Sequence, residues 1–217
     1  MIGDAEVNGL LSASGTGGDN LLALQVASKA KSIGRSYQEK FITGDSAGTD
    51  EFDGLISLIS ANQKIPLDGA LTFDALDELI MKVTSKGDQV EFLMVSGRDY
   101  RKIRALNRAL GGTDASYNTV AGVEVLYYAG VAVFRNDWIP TNEGVGTNES
   151  VVYAGNFDDG SEKVGIAGLT SAVDSGIVVQ DVGAAETRDE QIVRVKFYCG
   201  LANYSDLGLA ALTGVQG

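Results

Sequence analysis

The sequence predicts an α+β fold, with helices gathered in the first half and strands in the second. Three observations carry that reading. Asp19–Gly44 hold a helical pattern longer than any other in the chain. After Gly112 the apolar spacing changes from three and four residues to two. The chain has 217 residues, 44% of them hydrophobic, enough for a sizeable core. Helices followed by strands favour α+β over a doubly wound α/β sheet.

In the long helix Val26, Ala30, Ile33, Tyr37 and Phe41 recur as one apolar stripe, while Lys29, Lys31, Arg35, Gln38 and Lys40 fill the other faces. Asp19 or Asn20 is the expected cap, and Gly44 the left-handed closing residue. Such a helix is about 35 Å long and needs more than one neighbour to cover it; it reads as a spine. Met1–Gly18, ending in SASGTGG, reads as a flexible lead-in. Beyond the spine, Asp53 is expected to cap a short helix over Leu55–Ile59, which Ile65 and Pro66 end. Thr72 caps a helix that turns Phe73, Leu76, Leu79, Ile80 and Val83 inward and stops at Gly87. Val90–Val95 reads as a buried strand. Ser96 and Asp99 form a capping box for a third helix, with Tyr100, Ile103, Leu106 and Leu110 inward and Gly111–Gly112 as its stop.

Strands are expected at Val123–Tyr128 and Val131–Arg135, joined by Ala129-Gly130, then at Val151–Gly155, Val164–Leu169 and Ile177–Val182. Thr141–Ser150 is a polar loop, and Asp158–Ser161 a hairpin turn. Ile192–Leu201 shows the clearest alternation: Val193, Val195, Phe197, Cys199 and Leu201 face one way, Arg194, Lys196 and Tyr198 the other. The apolar tail Leu207–Val215 is expected to pack.

The totals exclude whole classes of function. Net charge is −12, which argues against a free-standing nucleic-acid binder. A single cysteine, Cys199, leaves no intrachain disulfide. Histidine is absent, and with it histidine metal sites and histidine bases. No apolar run approaches the roughly 20 residues of a membrane span, and Met1–Leu11 lacks the pattern of a signal peptide.

Four stretches invite a chemical reading. Gly44-Asp45-Ser46-Ala47-Gly48 spells a nucleophile elbow, but a helix precedes it and no histidine can activate Ser46. Asn156, Asp158, Gly160 and Glu162 alternate like a loose calcium loop without meeting the EF-hand spacing. Gly15, Gly17 and Gly18 resemble a phosphate loop but lack both the preceding strand and the following Gly-Lys-Ser/Thr. Arg98, Arg101, Lys102, Arg104 and Arg108 make the third helix basic; it reads as a solvated face or as a patch for acidic neighbours. No catalytic, cofactor-binding or metal-ligating residue is assigned, and no cofactor is implied.

Five stretches in order resemble a known family. They are the spine through FITGD into EFDGLISLI, then LTFDALDELI, FLMVSGRDYRKIRAL, VAGVEVLYYAGVAVFRNDWIP and RVKFYCGLANYSDLGLAALTGV. The succession is similar to the major capsid proteins of tailed bacteriophages, the Hong Kong ninety-seven type fold shared with encapsulins. The resemblance implies a peripheral domain on the spine (19–65 and 198–217) and an axial domain (66–197) of helices around a small mixed or antiparallel sheet. It implies a structural role: a head subunit, not an enzyme, made in the host bacterial cytoplasm and ending in the virion. Its partners would be copies of itself in hexamers and pentamers, with scaffold, portal or decoration proteins. DNA is enclosed without specific binding, and no membrane is involved. An encapsulin-like shell or a tail component is the alternative, and an enzyme with an unrecognised site the remaining one. The family carries an N-terminal arm and a long hairpin, the extended loop, ahead of the spine, where this sequence has only Met1–Gly18. The resemblance therefore implies a truncated or divergent member, expected to be a monomer or small oligomer by itself.

Overall fold

The computed structural model describes residues 1–10, 18–48, 51–85, 89–109, 111, 117–120, 123–142 and 148–217. The spine is one unbroken helix, α1 (Gly18–Thr43), and Gly34 does not end it. The side chains of Asp19 and Asn20, expected as caps, lie outside the described residues, as do most of SASGTGG, Gly87, Leu110 and Gly112. Ile33 and Ile42 are buried on α1, while Val26, Ala30, Tyr37 and Phe41 are half-buried. The tyrosine is the hub of an aromatic cluster, with ring centroids 5.4 Å from Phe197, 5.8 Å from Phe52 and 6.2 Å from Phe41.

Among the described residues three further α-helices follow: α2 (Leu55–Leu58), α3 (Phe73–Thr84) and α4 (Gly97–Ala109). Thr72 caps α3 as expected, its Oγ1 accepting the Ala75 N–H at 3.2 Å. Asp53 does not cap α2. The N-cap is Gly54, without a side-chain bond, and Asp53 accepts the Ser46 N–H instead. Gly111 closes α4 in the left-handed region, φ 77°.

A mixed seven-stranded sheet forms the largest unit. Its order is β2 (Lys64–Ala70), β12 (Leu209–Gln216), β7 (Glu149–Gly155), β3 (Phe92–Val95), β6 (Val131–Arg135), β5 (Val123–Tyr128) and β4 (Tyr117–Val120). β12 runs parallel to β2 and β3 parallel to β6; the other pairs are antiparallel. Alternation sorts its residues between two cores. Val152, Ala154, Ala210 and Leu212 join α3 and α4 on one face. Val151, Tyr153, Leu209 and Ala211 join Ile42 of the spine and Leu55 of α2 on the other. Each fully buried Leu, Ile or Phe here contributes about 1.5–3 kcal/mol. The tail is therefore a central strand, paired on both sides. Ala129 (φ 49°) and Gly130 (φ 81°) make the two-residue β5–β6 turn, the mirror-image geometry that matches strand twist.

A second sheet has the order β1 (Ile2–Asn8), β10 (Glu190–Phe197), β9 (Ile177–Ala184), all antiparallel, and α1 packs along β1 and β10. A third pairs β11 (Cys199–Asn203) with β8 (Ile166–Thr170).

Several expectations need correcting. Ile2–Asn8, read as flexible lead-in, is a strand, held by seven register pairs and by Arg194, whose Nε and Nη2 donate to the two Asp4 oxygens at 2.7 and 2.9 Å. Ile65 and Pro66 do not end a segment but lie in β2. Proline is tolerated there because β2 is an edge strand. Ile192–Leu201 is two strands, broken at Tyr198 where the chain passes from one sheet to another. β10 packs against the spine with β9 on its far side, and β12 completes the seven-stranded sheet.

Candidate functional site

Ser46 lies in an exposed turn between two helices, not between a strand and a helix, and it is not among the residues with positive φ. Its N–H donates to Asp53 Oδ1 at 2.8 Å, and hydrogen bonds from its backbone and side chain hold the Asp53 carboxyl below the usual carboxylate range. The glycines flanking this loop explain the motif. A Cβ on Gly44 would lie 2.2 Å from Phe52 O and 2.6 Å from Lys40 O; one on Gly54 would lie 2.7 Å from Gly44 N and 2.7 Å from Lys40 O. Gly44 is thus required for close backbone approach, not for the left-handed conformation expected of it. The Gly54 N–H donates to Gly44 O at 2.9 Å and ties off the spine.

The 156–165 stretch, expected as a hairpin, instead carries the chain from β7 in one sheet to β8 in another. Its acids bind their own loop. Asp158 Oδ1 accepts the Glu162 N–H at 3.1 Å and Asp159 Oδ1 the Ser161 N–H at 2.9 Å, while the Asn156 side chain is buried. Hydrogen bonds from Ser161 lower the Asp159 pKa. Among the described residues, no three Cys, Asp or Glu gather in a way that would hold a metal ion. Gly15 and Gly17 lie outside the described residues, and Gly18 begins α1.

The basic helix α4 divides into two faces. Arg98 is anchored: its Nη2 donates to Ser150 Oγ at 2.8 Å and to Val215 O at 2.7 Å, and its Nη1 to Asn148 O. Asp99 is buried. Ser96 Oγ donates to it at 2.7 Å and accepts its N–H at 3.2 Å, and the Ser150 hydroxyl donates to it as well. Only half of the expected capping box forms: Ser96 Oγ accepts the Asp99 N–H, but the carboxylate turns to the Ser96 hydroxyl rather than the Ser96 N–H. This knot fastens the start of α4 to β7 and β12. Arg101, Arg104 and Arg108 are exposed.

Two surfaces went unread in the sequence. β1 was hidden by its mixed polarity. β9, an expected strand, is a free edge among the described residues, with Ile177, Val179 and Val182 exposed. Its lack of lysine and proline was the available signal.

A long spine with a half-covered face, two sheets of unequal burial and polar loops occupied with their own turns make a scaffold for contacts. The family model described as SU10 major capsid protein matches residues 4–161. The chain belongs to the SU10 major capsid protein family. It is a structural, self-assembling shell protein. The matched span of this capsid protein runs from β1 through the spine, α3 and α4 into the loop after β7.

Solved structures share the fold. A subunit of the holo-SrpI encapsulin complex from Synechococcus elongatus PCC 7942 superposes with a TM-score of 0.82 at 18% identity, over 100% of this chain and 73% of that one. The capsid of the empty GTA particle gives 0.70 at 14%, over 99% and 72%. A phage-related protein from Bordetella bronchiseptica RB50 gives 0.64 at 14%, over 99% and 72%. No curated protein matches the sequence. No helix among the described residues is long and apolar enough to cross a membrane.

Proposed function

We propose that this chain is the head-shell subunit of a tailed phage, assembling with copies of itself around packaged DNA. The observation that carries the reading is the capsid-family match over residues 4–161, which takes in β1, the spine and six of the seven strands of the large sheet. Physical chemistry supports it. A shell that stores DNA must not grip it, since each phosphate contact adds affinity that resists movement of the polymer, and a net charge of −12 keeps that affinity low. The spine with β1, β9 and β10 would form the peripheral unit, and the seven-stranded sheet with α3 and α4 the axial one. Portal, scaffold or decoration proteins would meet the finished shell, and the virion would be its destination. No catalytic, cofactor or metal residue takes part in this reading.

A second reading is an encapsulin-like shell, favoured by the 0.82 superposition on the SrpI subunit over the whole chain. Particles purified from the producing cell distinguish the two. Closed shells in electron micrographs that hold nuclease-protected DNA are expected. Shells with protein cargo and no protected DNA would move the assignment to the encapsulin reading. A protein that never forms closed shells would defeat both.

A further inference from the structure

We propose that α4 of one copy docks, through its outward basic stripe, against the outward acidic stripe of α3 on the next copy, and that this contact repeats around a ring. The inference rests on the shell reading above and names the surfaces that carry it.

The two stripes lie in one layer, since α3 and α4 cover the same face of the seven-stranded sheet. On α4, Arg101, Arg104 and Arg108 are exposed at helical spacing. On α3, Asp74 and Glu78 are exposed one turn apart, and Met81, 65% exposed, continues their line. Each stripe spans eight residues, about 10 Å of helix, so their lengths match. Among the described residues Arg101, Arg108, Asp74 and Glu78 make no hydrogen bond or ion pair within the chain. Arg98, by contrast, is fully used in anchoring the helix.

Closing a ring requires two different, complementary surfaces on each copy, because the contact is head-to-tail. One basic and one acidic helix in the same layer provide that pair. Charge also decides between partners. Nucleic acid would reach the arginines only through the field of a chain of net charge −12, with the α3 acids in the same layer. A second copy presents the opposite charge. Two turns on two turns make a contact smaller than the 1,200–2,000 Å² of a stable interface. That suits a contact which every copy makes twice.

The test uses the full chain. One variant carries Arg101→Glu and Arg108→Glu; the other carries Asp74→Lys and Glu78→Lys. Circular dichroism first establishes that both are folded. Particle formation is then followed by sedimentation velocity at low salt and at about 1 M salt, where the screening length falls to about 3 Å. Each variant alone is expected to assemble about tenfold more weakly than wild type. Mixing the two should restore assembly, because each then presents what the other lacks. High salt should weaken the wild type and abolish the difference. Wild-type particles that neither reversal alters would overturn this inference and leave the shell reading intact. A wild-type chain that does not self-associate at any attainable concentration would overturn the shell reading and this inference with it. Loss of duplex-DNA binding in the arginine variant, with assembly unchanged, would identify nucleic acid as the partner and overturn it too.

Discussion

From Ser150 to Gly155, β7 is buried on both faces, whereas β9 is exposed along most of its length. The strands belong to two sheets built from similar aliphatic residues. The seven-stranded sheet has α3 and α4 on one side and the end of the spine with α2 on the other. The three-stranded sheet has the spine along β1 and β10 and nothing beyond β9 among the described residues. Only Ala5, Val7, Val193 and Val195 are buried within it. One sheet holds the fold together; the other leaves apolar surface and unpaired backbone of the kind that covers or is covered by a neighbour. In a shell protein that asymmetry is useful, because stability and assembly draw on different residues.

Core truncation should separate the two sheets most sharply. Phe92 is fully buried in β3, its ring 4.8 Å from that of Phe157. Phe92→Ala is expected to destabilise by about 3–5 kcal/mol, while Val179→Ala on β9 should stay within about 0.5 kcal/mol. Urea unfolding of both variants checks this, and equal effects would remove the distinction. Next comes the knot at α4. Asp99→Ala leaves Arg98 and two hydroxyls without their buried partner, and on the order of 3 kcal/mol should be lost. Hydrogen exchange should then rise first in the opening turn of α4.

Ala129 sharpens the comparison from the stabilising side. It holds a left-handed conformation that costs a residue with a Cβ roughly 1–2 kcal/mol. Ala129→Gly should therefore gain about 0.5–1 kcal/mol after its added unfolded-state freedom, read as a higher urea midpoint. The smallest effect belongs to the three-stranded sheet. The hydrogen bond with Arg194 holds the Asp4 pKa below its ordinary value of 3.8. Its contribution is thus complete above that pH and is lost as pH falls through the lower folded value. Asp4→Asn should lower neutral stability slightly and converge with wild type in acid, which flattens the acid limb of the stability curve. A steep acid limb that persists in Asp4→Asn would assign the effect to other carboxylates.

The spine, α3, α4 and the β5–β6 hairpin were legible because each is set by local periodicity and a local stop. Gly111 and Ala129-Gly130 show that the stops are where the pattern puts them. The helix-to-helix turn that holds Ser46 was legible too, from the helical pattern on either side of it. The outward arginines of α4 could be counted in the sequence, but not divided. Arg98 and Arg101 look alike until Ser150 and Val215, distant in the chain, come to meet one of them.

Amphipathic spacing, caps and composition alone determined the helices, the class of fold and the absence of histidine chemistry, because these depend on neighbours within a few residues. Strand partnership was decided by the tertiary structure. A period of two says which side chains share a face and nothing about which strand lies alongside. Ile192–Leu201 alternates in sequence straight across a change of sheet, yet of its expected inward side only Val193 and Val195 are buried. Lys64–Ala70 carries a proline and becomes a strand only because β12 offers it an edge. Ile2–Asn8 becomes one only because β10, nearly two hundred residues away in sequence, supplies its hydrogen bonds.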